Sequence, residues 1–305
     1  MSLVEISGLT KTYGPIKAVD QFNLTADRAE IVALVGPDGA GKTTIFRATC
    51  GLIGFDSGLV TVAGLDVSKD FEKIKPHLGY MPQVFSLYPD LSVEENLNFY
   101  AGLFGVSRED LLKKKRVLYD FSGLGPFAKR RAGALSGGMK QKLSLSCALV
   151  HDPEVLVLDE PTTGVDPVSR EQFWNILKDL KSRGAAIVVS TPYMDEVALA
   201  DRAAFVYGGR KLGEGTPAEL ATLFRGRVYR IKGSLSGEQL DGLSRIEGLA
   251  QRRFGSSAYL YTDSAETIGN FEQRLLAIGI LPEAVEEASP SLEDAFIQLM
   301  ADRPR

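Results

Sequence analysis

The sequence predicts an α/β fold built on a parallel sheet, with a small α+β unit appended at its carboxyl end. Three observations lead there. Residues 30–46 read EIVALVGPDGAGKTTIF, an apolar strand, a glycine-rich loop and a helix start in direct succession. Residues 155–160 read VLVLDE, a second short apolar run that ends in two carboxylates. Short unbroken apolar runs of this kind fit strands buried on both faces, as in a parallel sheet. Beyond residue 227 the texture changes to short segments that read strand, helix, strand, strand, helix, strand.

The first element carries the most chemistry. The run Ile31 to Val35 passes into Gly36, Pro37, Asp38, Gly39, Ala40, Gly41, Lys42 and Thr43, which fits GxxxxGK[ST] at every required position. Glycines suit a loop whose backbone N–H groups wrap a phosphate closely, where side chains would collide. In such a loop Lys42 reaches the β- and γ-phosphates, the Thr43 hydroxyl ligates Mg²⁺, and the helix through Thr44 turns its positive end toward the phosphates. The bland alternative, a glycine-rich turn between strand and helix, does not call for the lysine. Asp38 puts a carboxylate beside an anion site and is expected to point away from it.

In VLVLDE, Asp159 is placed to hold Mg²⁺ through water, and Glu160 to orient or deprotonate an attacking water. Ligands of parallel sheets sit at the carboxyl ends of strands, where these groups fall. Without the P-loop, a strand running into an acidic turn would be the better reading. A second anion site follows from LSGGMKQKLSLSCALV, residues 135–150: Ser136 is a good N-cap, and Gly137 and Gly138 expose the amides of a first helical turn. One triphosphate seldom needs two such sites unless two chains share nucleotides.

With these residues in view, the chain resembles the ATP-binding subunits of ABC transporters over roughly residues 3 to 225. GPDGAGKTT looks like that family's Walker A, YMPQ its Q-loop, LSGGMKQ its signature, VLVLDE its Walker B, TTGVD its D-loop and STPYMDE its switch-histidine loop. The resemblance implies a P-loop NTPase fold of the ABC ATPase type over residues 1–226, with a helical subdomain at about 85–131, and an accessory unit at 227–305. It implies ATP and Mg²⁺ as cofactors. Tyr13, in KTYG, would stack on adenine; Gln83 would sense Mg²⁺ and the γ-phosphate; Ser136 and Gly138 would contact the γ-phosphate held by a partner chain; Asp166 would bridge the two sites across a dimer. Catalytic roles fall to Glu160, Gln83 and Asp166, and metal contacts to Thr43, Gln83 and Asp159. The implied partners are a membrane permease and a second ATPase module, identical or not, with the chain on the cytoplasmic side of the membrane. Phe85, Leu87, Tyr88 and Leu91 are candidates for the permease groove, each with packing inside the subdomain as its alternative.

Composition agrees. A net charge of -4 gives no electrostatic case for a nucleic-acid partner. No apolar stretch approaches the ~20 residues that cross a bilayer, and MSLVEISGLT does not read as a signal peptide. Cys50 and Cys147 have no metal or redox spacing and read as small buried hydrophobes in helices. The run KKKR at 113–116 reads as a solvated helix face.

In the tail, VYRIKG, LAQRRFG, AYLYTD and PEAVEEAS read as strands and SGEQLDGLSRI and AETIGNFEQRLLAIG as helices, the ferredoxin-like order. SPSLEDAFIQLM reads as a capped final helix. This tail resembles that of exporter ATPases of the daunorubicin-resistance type. It shows no catalytic constellation; a regulatory or dimer-stabilising unit and a fold-capping appendage both fit.

One position departs from the family pattern. Where the switch loop normally carries a histidine, this chain has Pro192, which offers no side-chain donor and no backbone N–H. The two histidines, His77 and His151, both precede apolar runs that lead toward the site and so belong at its remote end. Thr191 or Tyr193 could offer a hydroxyl instead. Three arrangements follow: a paired cassette with two unequal sites, a homodimer that hydrolyses slowly through Glu160, or a soluble ATP-dependent switch without a permease.

Overall fold

Ile31–Val35, Val155–Asp159 and Ala186–Thr191 are buried at every residue and form the middle of a six-stranded sheet. Across the sheet the strands run Arg210–Gly215, Arg202–Tyr207, Ile31–Val35, Ala186–Thr191, Val155–Asp159 and Leu78–Met81. All neighbours are parallel except the antiparallel hairpin at the first edge. The register pairs Val35 with Thr191, Ser190 with Asp159, and Leu158 with Met81. The strands therefore end almost level, and the chain segments after them leave from one edge of the sheet.

A second, antiparallel sheet is formed by Ile16–Asp27, Ser2–Tyr13, Ser57–Val62 and Leu65–Asp66, in that order. Its apolar side shares one core with the parallel sheet and the helix Lys42–Thr49: Phe22, Leu34 and Phe46 meet there, each almost wholly buried. That helix begins where the glycine loop ends, because Gly41 takes φ 105°, a conformation open to glycine.

The helices Val93–Leu103 and Arg108–Ser122 follow the sheet strand Leu78–Met81. Each starts at a serine: Ser92 and Glu95 form a reciprocal capping box, and Ser107 accepts from the Asp110 amide. The second helix stops at Gly123, in left-handed geometry at φ 69°. The KKKR run on it is not a uniformly solvated face. Lys113 is exposed, but Lys115 is buried against Glu94 at 2.7 Å, and Lys114 donates to the Val150 carbonyl and pairs with Asp152. Four consecutive positions on a helix point in four directions, so the run straddles the packed and solvent sides. Both cysteines are buried; Cys147 is helical and Cys50 caps the helix Lys42–Thr49. Burial pushes both thiols up.

The computed structural model describes residues 2–233, 235–254, 257–263 and 266–302. Positions 1, 234, 255, 256, 264, 265 and 303–305, included in the domain, strand and helix expectations, lie outside the described residues. The chain divides into two units, Met1–Pro217 and Ala218–Arg305. The division falls earlier than residue 226, because Phe224 stacks edge-on to Tyr261 and the Arg225 backbone exchanges hydrogen bonds with Gln298, all within the second unit.

The second unit has strands Arg227–Ile231, Ala250–Phe254, Ser257–Thr262 and Val285–Ala288, with helices Gly237–Ser244, Glu272–Ala277 and Leu292–Ala301. Its antiparallel sheet has the second and third strands at one side and the first and fourth at the other, the ferredoxin-like order. The stretch expected as one helix from residue 265 is a 3₁₀ turn, Ile268–Phe271, before the short helix Glu272–Ala277.

Phe22 lies at the shared core of the first unit and is fully buried. Phe22→Ala is expected to cost about 3–5 kcal/mol, read as a lowered urea midpoint in the emission of Trp174, the single, buried tryptophan. A midpoint within error of the parent would contradict this packing.

Candidate functional site

The level strand ends bring five sequence-predicted residues into one cluster. Lys42, 3% exposed, donates from Nζ to the Gly36 carbonyl at 2.7 Å and the Pro37 carbonyl at 3.1 Å, and lies 3.2 Å from Glu160 Oε1. The other carboxylate oxygen of Glu160 accepts from Gln83 Nε2 at 2.9 Å and from the Thr163 hydroxyl at 3.3 Å. Asp159 is wholly buried beside it. Glu160 itself sits at φ 47°, a left-handed conformation that a non-glycine residue adopts at some cost and that tips its side chain out of the strand.

Ser190 organises the two carboxylates and was not singled out from the sequence. Its hydroxyl accepts from the Glu160 amide at 2.9 Å and donates to Asp159 Oδ1 at 2.8 Å. The available signal is a pair of hydroxyl residues, Ser190 and Thr191, closing the apolar run AIVVST. Asp159 Oδ2 is shut off from solvent and has no hydrogen-bond partner among the described residues. Burial pushes the Asp159 carboxyl above its ordinary range, although the Ser190 and Thr43 hydroxyls oppose this.

The glycines of the loop are walled in. A Cβ on Gly36 would lie 2.1 Å from the Val206 carbonyl oxygen, and one on Gly41 2.5 Å from that of Ala18. Ala40 is buried, and its carbonyl accepts from the Gly209 amide, whose own carbonyl accepts from Asp20. Gly39, at φ 76°, and Asp38 are on the exposed side of the loop. Thr43 and Thr44 open the helix, both half-buried.

Other predicted residues stand on separate elements. Tyr13 ends its strand 47% exposed, with Lys11 Nζ 5.2 Å from its ring centroid. Ser136 caps the helix Gly137–Leu149 by accepting from the Met139 amide. Asp166 caps the helix Pro167–Ser182 by accepting from Ser169, which holds its carboxyl below the usual range. These two helix starts are neighbours: a Cβ on Gly138 would lie 2.8 Å from Ser169 Oγ, and Gly137 faces the Gly164 carbonyl.

Pro192 is exposed at the end of Ala186–Thr191. Neither histidine approaches it. His77 pairs with Glu154 at 3.0 Å, and His151 stacks on Phe104 and contacts the Leu78 carbonyl, at the far end of the same strands. Thr191 is already committed, donating to Glu196 at 2.5 Å and accepting from the Tyr193 amide. The Tyr193 ring lies under the Arg170 guanidinium at 4.6 Å. The same oxygen of buried Glu196 also accepts from Thr162 at 3.0 Å.

A glycine loop on a strand-to-helix turn, with a buried lysine and two strand-end carboxylates, defines a P-loop nucleotide-binding cassette. A family model described as ABC transporter matches residues 19–163. The chain is 41% identical over 98% of its length to the Escherichia coli protein named "Probable multidrug ABC transporter ATP-binding protein YbhF", but spans only 52% of that protein. It is 34% identical to Nod factor export ATP-binding protein I of Rhizobium etli, covering 98% of this chain and 93% of the relative. The linearmycin resistance ATP-binding protein LnrL of Bacillus subtilis is 34% identical over 81% of this chain and 80% of its own. Among solved structures, the ATP-binding subunit of an ABC transporter superposes with TM-score 0.67 at 27% identity, over 73% of this chain and 93% of that one. A dimeric post-hydrolysis state of the cassette MJ0796 bound to ADP and Pi gives TM-score 0.64 at 27% identity, over 70% and 98%. The chain belongs to the ABC transporter ATP-binding family.

A carboxyl whose folded-state pKa is raised favours the fold when protonated and progressively less as pH climbs through that value. Asp159→Asn is therefore expected to raise Tm at neutral pH by a few degrees, the scale of about 1 kcal/mol, with the gain shrinking as pH falls. Differential scanning calorimetry across pH checks this; a lower Tm at neutral pH would contradict it.

Proposed function

We propose that the chain is the ATP-binding subunit of an export system, hydrolysing MgATP at sites shared with a second cassette while a separate membrane permease carries the substrate. The observation that carries this reading is the cluster in which buried Lys42 and exposed Gln83 hold Glu160 beside Asp159, whose Oδ2 is uncommitted. The export direction is supported by the names of the relatives, which specify Nod factor export, linearmycin resistance and multidrug transport.

The donor set fits Mg²⁺. The described residues hold no group of three or more His, Cys, Asp or Glu able to cage a metal alone, and Mg²⁺ characteristically takes one or two protein oxygens together with phosphates and waters. Asp159, Thr43 and Gln83 would supply the protein side. Bound there, Mg²⁺ supplies neutralisation of charge developing on the phosphates. The loop amides and the first turn of Lys42–Thr49 would wrap the β-phosphate. Lys42 would exchange its loop carbonyls for phosphate oxygens, and that exchange frees Glu160 to orient the attacking water and take its proton. Gln83 would follow Glu160. Tyr13 would stack on adenine, and Ser136, Gly137, Gly138 and Asp166, on two adjoining helix starts, would face the partner cassette's nucleotide and its D-loop.

Pro192 supports an impaired own site within such a pair. It brings no donor, and the hydroxyl of Thr191 is already spent on Glu196. The signature helix remains able to complete the partner's site. The permease would dock beside the Q-loop, where Val84 is 75% and Tyr88 48% exposed. Of the four docking candidates, Leu87 is buried and would support the surface from beneath, while Phe85 and Leu91 are half-buried. Among the described residues no helix is long and apolar enough to cross a membrane, so attachment at the inner face would run through the permease.

Steady-state ATPase assays of the chain, Pro192→His and Glu160→Gln test the reading. Glu160→Gln is expected to lose on the order of 10²-fold or more while still binding ATP, and Pro192→His to gain about 10-fold or more, within the range of one positioned donor. Fast turnover by the parent chain that Pro192→His leaves unchanged would overturn the impaired site. Failure to co-purify with a permease would overturn the transport assignment.

A further inference from the structure

The sheet of the second unit has two faces with different neighbours. Tyr229, Leu243, Leu260 and Leu275 build a core on the side of the helices Gly237–Ser244 and Glu272–Ala277. On the other side the register sets Ala250 opposite Tyr261 and Arg252 opposite Tyr259. The final helix, Leu292–Ala301, reaches that face through Asp294, which accepts from the Tyr261 hydroxyl at 2.7 Å. Between face and helix lies a cavity of about 550 Å³, lined in part by Phe224, Arg225, Leu249, Arg252, Tyr261 and Ile297. That is the size range of small-molecule sites.

The hydrogen-bonding capacity left open in this cavity is divided between two arginines, a glutamine oxygen and an acid. Asp294 is spent: one carboxylate oxygen takes the Tyr261 hydroxyl, and the other takes the amide and hydroxyl of Ser291 in the helix cap. Tyr261 stays protonated, because burial and then Asp294 push its phenol up. Both amide atoms of the Gln298 side chain are taken by the Arg225 backbone. Arg252 Nη1 is different. It is 3.5 Å from Asp294 and 3.9 Å from Glu293, yet it is shut off from solvent and makes no hydrogen bond among the described residues. The Arg225 side chain is exposed and has no ion pair among the described residues. Gln251 Oε1 is a further buried atom without a partner, and Asp263 is an exposed acid in the lining.

We propose that this cavity is a binding site for an amphipathic organic anion, its apolar body against Phe224, Leu249 and Ile297 and its acidic group on Arg252 and Arg225. Arg252 is only partly buried, and the acid nearest its guanidinium, Asp294 at 3.5 Å, is already bonded to Tyr261, so an anionic oxygen supplies the stronger, charge-assisted partner. The apolar wall selects against small inorganic anions, which would leave most of the cavity unfilled. The site belongs to the second unit alone and does not rest on the nucleotide reading.

Fluorescence titration of the full chain with anilinonaphthalenesulfonate, an apolar aromatic anion, tests the site against the neutral N-phenylnaphthylamine. One saturable sulfonate site is expected, with the neutral dye about tenfold weaker or more. Ile297→Trp, which fills the cavity, is expected to abolish binding. Arg252→Gln should weaken it about tenfold and Arg225→Gln by a few-fold, each checked for an unchanged circular dichroism spectrum. Equal affinity for the two dyes, or undiminished sulfonate binding to folded Ile297→Trp, would overturn the proposal. Should Arg252→Gln not fold, the dye pair, Arg225→Gln and Ile297→Trp still decide. Because no nucleotide is present in the titration, a negative result leaves the ATPase reading untouched.

Discussion

The buried ammonium of Lys42 is the constraint around which the first unit is arranged. A lysine 3% exposed must be met by acceptors, and three are provided: two carbonyls of its own loop and the carboxylate of Glu160. Glu160 is in turn held by Gln83 from the end of another strand and by Ser190 at its backbone amide. These contacts require the strands to end level, and the register delivers that alignment. The left-handed backbone at Glu160 is tolerated because so many neighbours determine its position.

Much of this was legible in the sequence, for identifiable reasons. Strands buried on both faces leave unbroken apolar runs, so Ile31–Val35 and Val155–Asp159 could be read directly. Loops that wrap phosphate need glycine, and glycine in a fixed order with lysine and threonine is rarely a coincidence. Pairings across the sheet leave no such trace. Ser190 bridging Asp159 and Glu160, and Glu196 joining Thr162 to Thr191, depend on register between strands some 30 residues apart. The KKKR run misled for a related reason, since composition alone cannot say which of four successive side chains turns inward.

The second unit was readable in its order of elements and less so in its boundaries. Its start lies before residue 227 because Phe224 and Arg225 find their partners, Tyr261 and Gln298, much later in the chain. The cavity between its sheet and the last helix has no signature in the sequence. Arg252 and Tyr261 sit in ordinary alternating strands, and only the antiparallel pairing and the last helix give them a shared surface.

Glu196 has a mechanical meaning. One of its oxygens holds hydroxyls from two loops at once, Thr162 on the way to Asp166 and Thr191 just before Pro192. Neither loop can shift alone without stripping a buried carboxylate of a partner, so the two are geared to move as one piece. A displacement of either would therefore be felt at the other, and a proline at 192 leaves that gearing intact because neither hydrogen bond runs through it.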